Sequence, residues 1–183
     1  MVSTPSIAPP IKLSWKEVYP RFVHLREECL EVFRKHAIDN QCMVQTLHKD
    51  IENWEYGTGR SKNIKDNIKD FSVIQPSLVG SELERYFNWL EVPVWRSRLL
   101  GVPPKATYSV HTDREFRLHL PIVTNPQCFM LFPDEYTKTV LGYHLPADGS
   151  THWTNTRTPH SMINCHETEF RIHLVMCTHT GSN

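Results

Sequence analysis

The sequence predicts a mainly β fold, a jelly roll of two facing sheets with helices packed in front of it, and three observations predict it. The C-terminal half is a run of short segments punctuated by Pro, Gly and Asn turns, whereas helical periodicity is confined to the first 91 residues. A six-residue pattern occurs twice: Glu115-Phe116-Arg117-Leu118-His119-Leu120 and Glu169-Phe170-Arg171-Ile172-His173-Leu174 match at five of six positions, 54 residues apart. In a strand, alternate residues share a face. Each copy therefore turns Arg and His toward a lumen and its apolar residues toward a covering layer. Finally, His111 and Asp113 have the i, i+2 spacing that puts both on one side of an extended chain, and His160 follows 49 residues later. Only an excursion of strands that folds back can return His160 to the same point.

The elements follow in order. Three prolines and two serines in the first ten residues mark a disordered leader, expected over residues 1–13. Residues 14–91 read as helical support with a loop. Ser14 and Glu17 have capping-box spacing, and Pro20 suits a first helical turn. Phe22, Leu25, Cys29, Val32 and His36 then keep one helical face, with Arg26, Glu27, Arg34 and Lys35 on the wet side. Residues 42–51 alternate weakly, as a strand would. Residues 52–70, with two glycines and three asparagines, read as a mobile, lid-like loop in which Trp54, Tyr56 and Arg60 either face a substrate or pack on the surface. A second capping box, Ser81 with Glu84, opens a short helix through Leu90 that Pro93 ends. Residues 94–100 form the first strand of the core, 92–177, and Pro103-Pro104-Lys105 the turn before His111. Phe129 to Phe132 is an apolar barrel wall.

Composition limits the partners. The chain has 183 residues, length for one domain over 1–183 with a sizeable core. Its 20 basic and 20 acidic residues are mixed and cancel, so no bulk field draws nucleic acid or an anionic membrane. No apolar run approaches the roughly 20 residues of a membrane span, and the N-terminus lacks the charged-then-apolar pattern of a secretory signal. Cys29, Cys42, Cys128, Cys165 and Cys177 are odd in number and form no Cys-x-x-Cys, which fits a reduced cytoplasm better than a disulfide framework.

Two imidazoles and one carboxylate can occupy one face of an octahedral ion and leave three positions open, the ligand set of non-haem Fe(II) oxygenases. His111, Asp113 and His160 would supply it. A bare His-x-Asp is equally a solvated turn, so the context carries the reading. After His111-Thr112-Asp113 comes Arg117-Leu118-His119-Leu120, then Thr158-Pro159-His160-Ser161, then Arg171-Ile172-His173-Leu174.

This order resembles the aspartyl/asparaginyl β-hydroxylase-like branch of the Fe(II)/2-oxoglutarate dioxygenases, which includes free-proline hydroxylases. The family pattern is a His-x-Asp, an Arg-x-His-Leu strand, a Pro-His-Ser or similar, and a second Arg-x-His-Leu strand. All four stand here in order within residues 92–177, about half of the chain. The resemblance implies a double-stranded β-helix of the cupin type, with His111, Asp113 and His160 as catalytic iron ligands. It makes Arg171 the partner of the distal carboxylate of 2-oxoglutarate, a role suited to a planar, permanently charged fork. It places Arg117 and His119 in the pocket, against co-substrate or substrate carboxylate, and makes Arg98 a co-substrate contact or an outward strand arginine. Some members replace the aspartate by glycine; Asp113 keeps the full triad. The implied reaction hydroxylates a small carboxylate-bearing substrate, a free amino acid or an Asp/Asn-type peptide side chain, using O2 and releasing succinate and CO2. Two other readings stand beside it: a metal-binding cupin using the same ligands as isomerase or binding module without 2-oxoglutarate, and a looser zinc site drawing on His144, His152 or His166.

Overall fold

The computed structural model describes residues 11–12, 18–59 and 64–179. In chain order these contain β1 (Ile11–Lys12), α1 (Phe22–His36), β2 (Gln41–Met43), β3 (Gln45–Thr46), β4 (Val73–Ile74) and α2 (Glu82–Leu90). The core strands follow: β5 (Val94–Val102), β6 (Ala106–Thr107), β7 (Phe116–Val123) and β8 (Cys128–Asp134). Then come β9 (Thr139–Tyr143), β10 (His152–Thr154), β11 (Ser161–Asn164) and β12 (Arg171–Thr178). All pairings are antiparallel. One sheet runs β1-β10-β7-β12-β5-β2, the facing one β6-β11-β8-β9, and β3 pairs with β4 apart from both. The fold is the expected jelly roll with helices in front.

The repeated pattern sits at its centre. β7 and β12 are hydrogen-bonded neighbours, with Leu120 opposite Leu174 and Arg117 opposite Cys177. Leu118, Leu120, Ile122, Ile172, Leu174 and Met176 point one way, into a core shared with Leu25, Cys29 and Val32 of α1 and Leu83, Tyr86 and Leu90 of α2. Burying Leu25 and Val32 contributes roughly 1.5–3 kcal/mol apiece, which holds α1 where propensity alone would not. The intervening Arg117, His119 and Arg171 face the space between the sheets. Every residue of β12 is buried because the strand is covered on both faces.

α2 is fixed by its start. Ser81 Oγ accepts the Glu84 amide at 3.3 Å, Glu84 accepts the Gly80 amide at 2.6 Å, and Glu28 of α1 accepts the Glu82 amide at 2.7 Å. Arg21 and Arg85 each reach the buried Glu82 carboxylate at 2.6 Å. At the other end Glu91 adopts a left-handed φ of 55° and the helix stops before Pro93.

Three details differ from the sequence reading, and a fourth lies outside the described residues. Ile11 and Lys12, assigned to the leader, pair with Trp153 and His152 as an edge strand. The Ser14–Glu17 capping box lies outside the described residues, and α1 begins at Phe22 with no side-chain cap. Residues 42–51 hold two short strands, because Val44 breaks the ladder to exchange backbone hydrogen bonds with Ser97 and Gln75. β5 carries a bulge: Trp95 pairs with Cys177 and Arg98 with Val175, so Arg96 and Ser97 face Met176 alone. Among the described residues no helix is long and apolar enough to cross a membrane.

Candidate metal centre

His111 and Asp113 lie on the connection from β6 to β7, outside any strand. Backbone hydrogen bonds lace that connection to the one before β11. His111 N donates to His160 O at 3.0 Å, His160 N to His111 O at 2.9 Å, and Asp113 N to Thr156 O at 2.8 Å. The i, i+2 geometry expected of a strand therefore arises at a single antiparallel bridge, His111 opposite His160.

The two imidazole rings have centroids 4.5 Å apart. Each Nδ1 meets a carbonyl two residues earlier, Ser109 O at 2.8 Å and Thr158 O at 3.0 Å. A carbonyl only accepts, so each Nδ1 carries the proton and each Nε2 presents a lone pair. The donor atoms of His111, Asp113 and His160 lie within 4.8 Å of one another, and His160 Nε2 is 3.7 Å from the Asp113 carboxylate. Two metal–ligand bonds of about 2.1 Å span roughly 4 Å at most, so a small inward shift closes the set on one ion. Among the described residues no other group of three such donors gathers; His144 is exposed, and His166 is used locally, its Nδ1 accepting the Glu169 amide at 2.9 Å.

Electrostatics prepare the donors. Burial lowers the pKa of His160 and keeps the ring neutral, the form that binds metal. For Asp113 burial pulls upward, but the Arg117 charge and hydrogen bond outweigh it and hold the carboxyl below its usual range. Arg117 reaches both Asp113 oxygens, Nε at 3.1 Å and Nη2 at 3.0 Å, and also meets Cys177 Sγ. Arg117, expected in the pocket against co-substrate or substrate, does line the chamber, and there its guanidinium clamps Asp113.

Behind the donors lies a chamber of about 50 Å³ lined by Arg98, Tyr108, His119, Met130 and Arg171 among others. At roughly 30 Å³ per water, it takes one carboxylate group or one or two waters. Arg171 is 1% exposed and touches His173 Nδ1. Burial draws its pKa down to about 9 and that of Arg98 to about 10, and it pushes His119 and His173 far below the ordinary imidazole range. Arg98 Nε, Arg171 Nε, both ring nitrogens of His119 and His173 Nε2 are buried with no protein partner. Unpaired buried polar atoms are costly. Arg98, Arg171 and His119 therefore line a space with no free carboxylate of its own among the described residues, a lining suited to an anion, with His173 behind Arg171.

The remaining candidates are placed elsewhere. Trp54 stacks on His36, centroids 3.8 Å apart, and the Tyr56 hydroxyl donates to Asp66 at 2.7 Å, so neither lines the chamber. Arg60 lies outside the described residues. Tyr108 and Arg96 escaped the sequence reading. Tyr108 lines the chamber while its hydroxyl donates to Gly101 O at 2.8 Å. The alternation Arg96-Ser97-Arg98 was the available signal for Arg96.

No protein-family model matches the chain, and no curated protein matches it in sequence. Among solved structures it is similar to a non-haem monooxygenase, ThoJ in its nickel complex, over 94% of this chain and 73% of that one, with a TM-score of 0.51 at 11% identity. It is also aligned with AviO1 from Streptomyces viridochromogenes Tue57 over 87% and 85% of the two chains, with a TM-score of 0.48 at 13% identity. A Pseudomonas putida prolyl-4-hydroxylase aligns over 90% and 98%, with a TM-score of 0.34 at 12% identity. The first likeness establishes a shared fold; the other two, at lower scores, add nothing to it.

Proposed function

We propose that the protein is a non-haem Fe(II) oxygenase that consumes 2-oxoglutarate and dioxygen and hydroxylates a small carboxylate-bearing substrate, a free amino acid or an Asp/Asn-type peptide side chain. The observation that carries the reading is a juxtaposition. Two imidazoles with Nδ1 tied back and one clamped carboxylate converge on a point, directly in front of buried arginine and histidine donors that lack protein partners.

The donors fit the group. His111 Nε2, His160 Nε2 and the Asp113 carboxylate would hold Fe(II) on one face. Bound there, iron supplies the dioxygen chemistry that side chains cannot. The rest belongs to the chain. Arg171, with His119 and His173 beside it, would take the distal carboxylate of 2-oxoglutarate in the chamber, where burial strengthens a charge-assisted pair. Arg117 keeps Asp113 ionised and aimed. Ser109 O and Thr158 O hold the imidazoles in the tautomer that frees Nε2. Met130, Met162 and Val175 would give the co-substrate arm an apolar wall. In sum, substrate C–H, O2 and 2-oxoglutarate become substrate C–OH, succinate and CO2.

The test is substrate-stimulated succinate release with Fe(II) and 2-oxoglutarate across free amino acids and short Asp- and Asn-containing peptides. One or more substrates should stimulate release. No turnover with any of them, together with no binding of 2-oxoglutarate, overturns the reading.

A further inference from the structure

Arg96 is held in a costly conformation. It sits in the β5 bulge with φ of 49°, the left-handed region where a side chain is strained and glycine is the usual occupant. Its amide donates to Phe71 O at 2.7 Å and its Nε to Gly57 O at 2.7 Å, which ties the strand to two loops. Its terminal nitrogens make no hydrogen bond to a described residue. Strain kept at a pocket wall points to use there.

Two open spaces, of about 590 and 610 Å³, flank the mouth of the chamber; Arg96, Asp113 and Arg117 line both. Arg96 does not line the inner chamber, so it lies on the solvent side of the metal donors, whereas Arg171 lies on the deep side. Arg98, two residues on, lines the mouth and the chamber. No carboxylate among the described residues pairs with either arginine. Four carboxylates line the two spaces: Asp113 is taken by Arg117, Asp66 receives the Tyr56 hydroxyl, and Asp39 and Glu115 stand at the rim without a hydrogen bond to Arg96 or Arg98. Burial, first, and the neighbouring Arg117 and Arg96 guanidiniums weaken the hold of Arg98 on its proton, with Asp113 opposing them in part.

We infer that the mouth carries a second anion site, built on Arg96 with Arg98 behind it, which binds the substrate through a carboxylate distinct from the one Arg171 would receive. This rests on the oxygenase reading and adds to it a recognition rule: the substrate is an acid, and its neutral amide is rejected. Arg96 is then a specificity-determining residue, and the bulge is the device that aims it.

Calorimetric titration tests this on protein loaded with Mn(II), which binds oxygen donors without turnover, and with 2-oxoglutarate. The probes are the free amino acids and N-acetyl-aspartate, each beside its carboxamide. At least one acid should bind, with its amide at least tenfold weaker. Arg96→Asn, which tolerates a left-handed φ, should weaken the acid by about tenfold to hundredfold, the loss of a charged hydrogen bond, and leave 2-oxoglutarate affinity unchanged; Arg96→Lys should recover part of it. Equal binding of acid and amide by the wild type, undiminished binding by Arg96→Asn, or no binding of any probe to protein that does take 2-oxoglutarate overturns the inference. The acid–amide comparison needs no variant. Failure of the wild type to bind 2-oxoglutarate falls instead on the oxygenase reading.

Discussion

Replacing Arg117 by methionine removes the clamp on Asp113 while keeping most of the buried stem. The wild-type side chain is 5% exposed and spans both carboxylate oxygens, whereas Asp113 is 22% exposed. Breaking a fully buried pair costs about 3–5 kcal/mol; water reaching Asp113 reduces that to about 2–3 kcal/mol, a fall in melting temperature of roughly 4–12 °C for a chain of this size. Metal affinity should drop about 10–100-fold, as when a partner of a ligand is removed, or about 1.4–2.8 kcal/mol. The loss depends on pH. In the wild type the Asp113 carboxyl sits below its usual range and is charged throughout mildly acidic solution. Without Arg117 burial dominates, the pKa rises, and protons compete with the ion as pH falls. Mn(II) titrations at pH 5.5 and 7.5, with urea unfolding of the metal-free protein, read both effects. The reasoning fails if the variant binds metal as the wild type does, or if the loss is the same at both pH values.

Two further outcomes follow from the scaffold. Arg21 and Arg85 lower the Glu82 pKa to about 2, so this lock stabilises the fold fully above the unfolded carboxyl value near 4.3 and is lost as pH falls from there toward 2; thermal melts at pH 7 and pH 3 should differ less for Glu82→Gln than for wild type. Leu174 is fully buried between β7 and the helices, and Leu174→Ala should cost about 2–5 kcal/mol in urea unfolding through the cavity it leaves.

Much of the fold was legible because its signals are local. The 3.6-residue spacing of Leu25, Cys29 and Val32 gave α1, and the Ser81–Glu84 spacing gave the start of α2. The doubled Arg-x-His-Leu pattern gave two strands that put charge inward and apolar groups outward, because strand geometry leaves no other choice. What stayed hidden depends on distant partners. The bulge at Arg96 is filled by Gln45, whose amide oxygen accepts the Ser97 amide at 3.0 Å and whose nitrogen reaches Ser72 O and Val94 O at 3.2 Å each; nothing near residue 96 announces that. His111 and Asp113 share a side in a strand or in an extended loop, so their spacing did not distinguish the two. Ile11 and Lys12 pair with β10, a partner some 140 residues away that nothing in the first 13 residues announces. Which group Arg117 serves was equally unreadable, since an arginine on the inner face can meet a ligand or the carboxylate four residues before it.

The most direct measurement compares 2-oxoglutarate with 2-oxobutanoate, which lacks the distal carboxylate, as ligands of Mn(II)-loaded wild type and Arg171→Met. The wild type should bind 2-oxoglutarate at least tenfold more tightly than 2-oxobutanoate, only with metal present, and Arg171→Met should bind the two alike. Binding of 2-oxoglutarate that ignores the metal, or discrimination that survives loss of Arg171, would contradict a site in which three side chains grip the ion and one guanidinium receives the far end of the co-substrate.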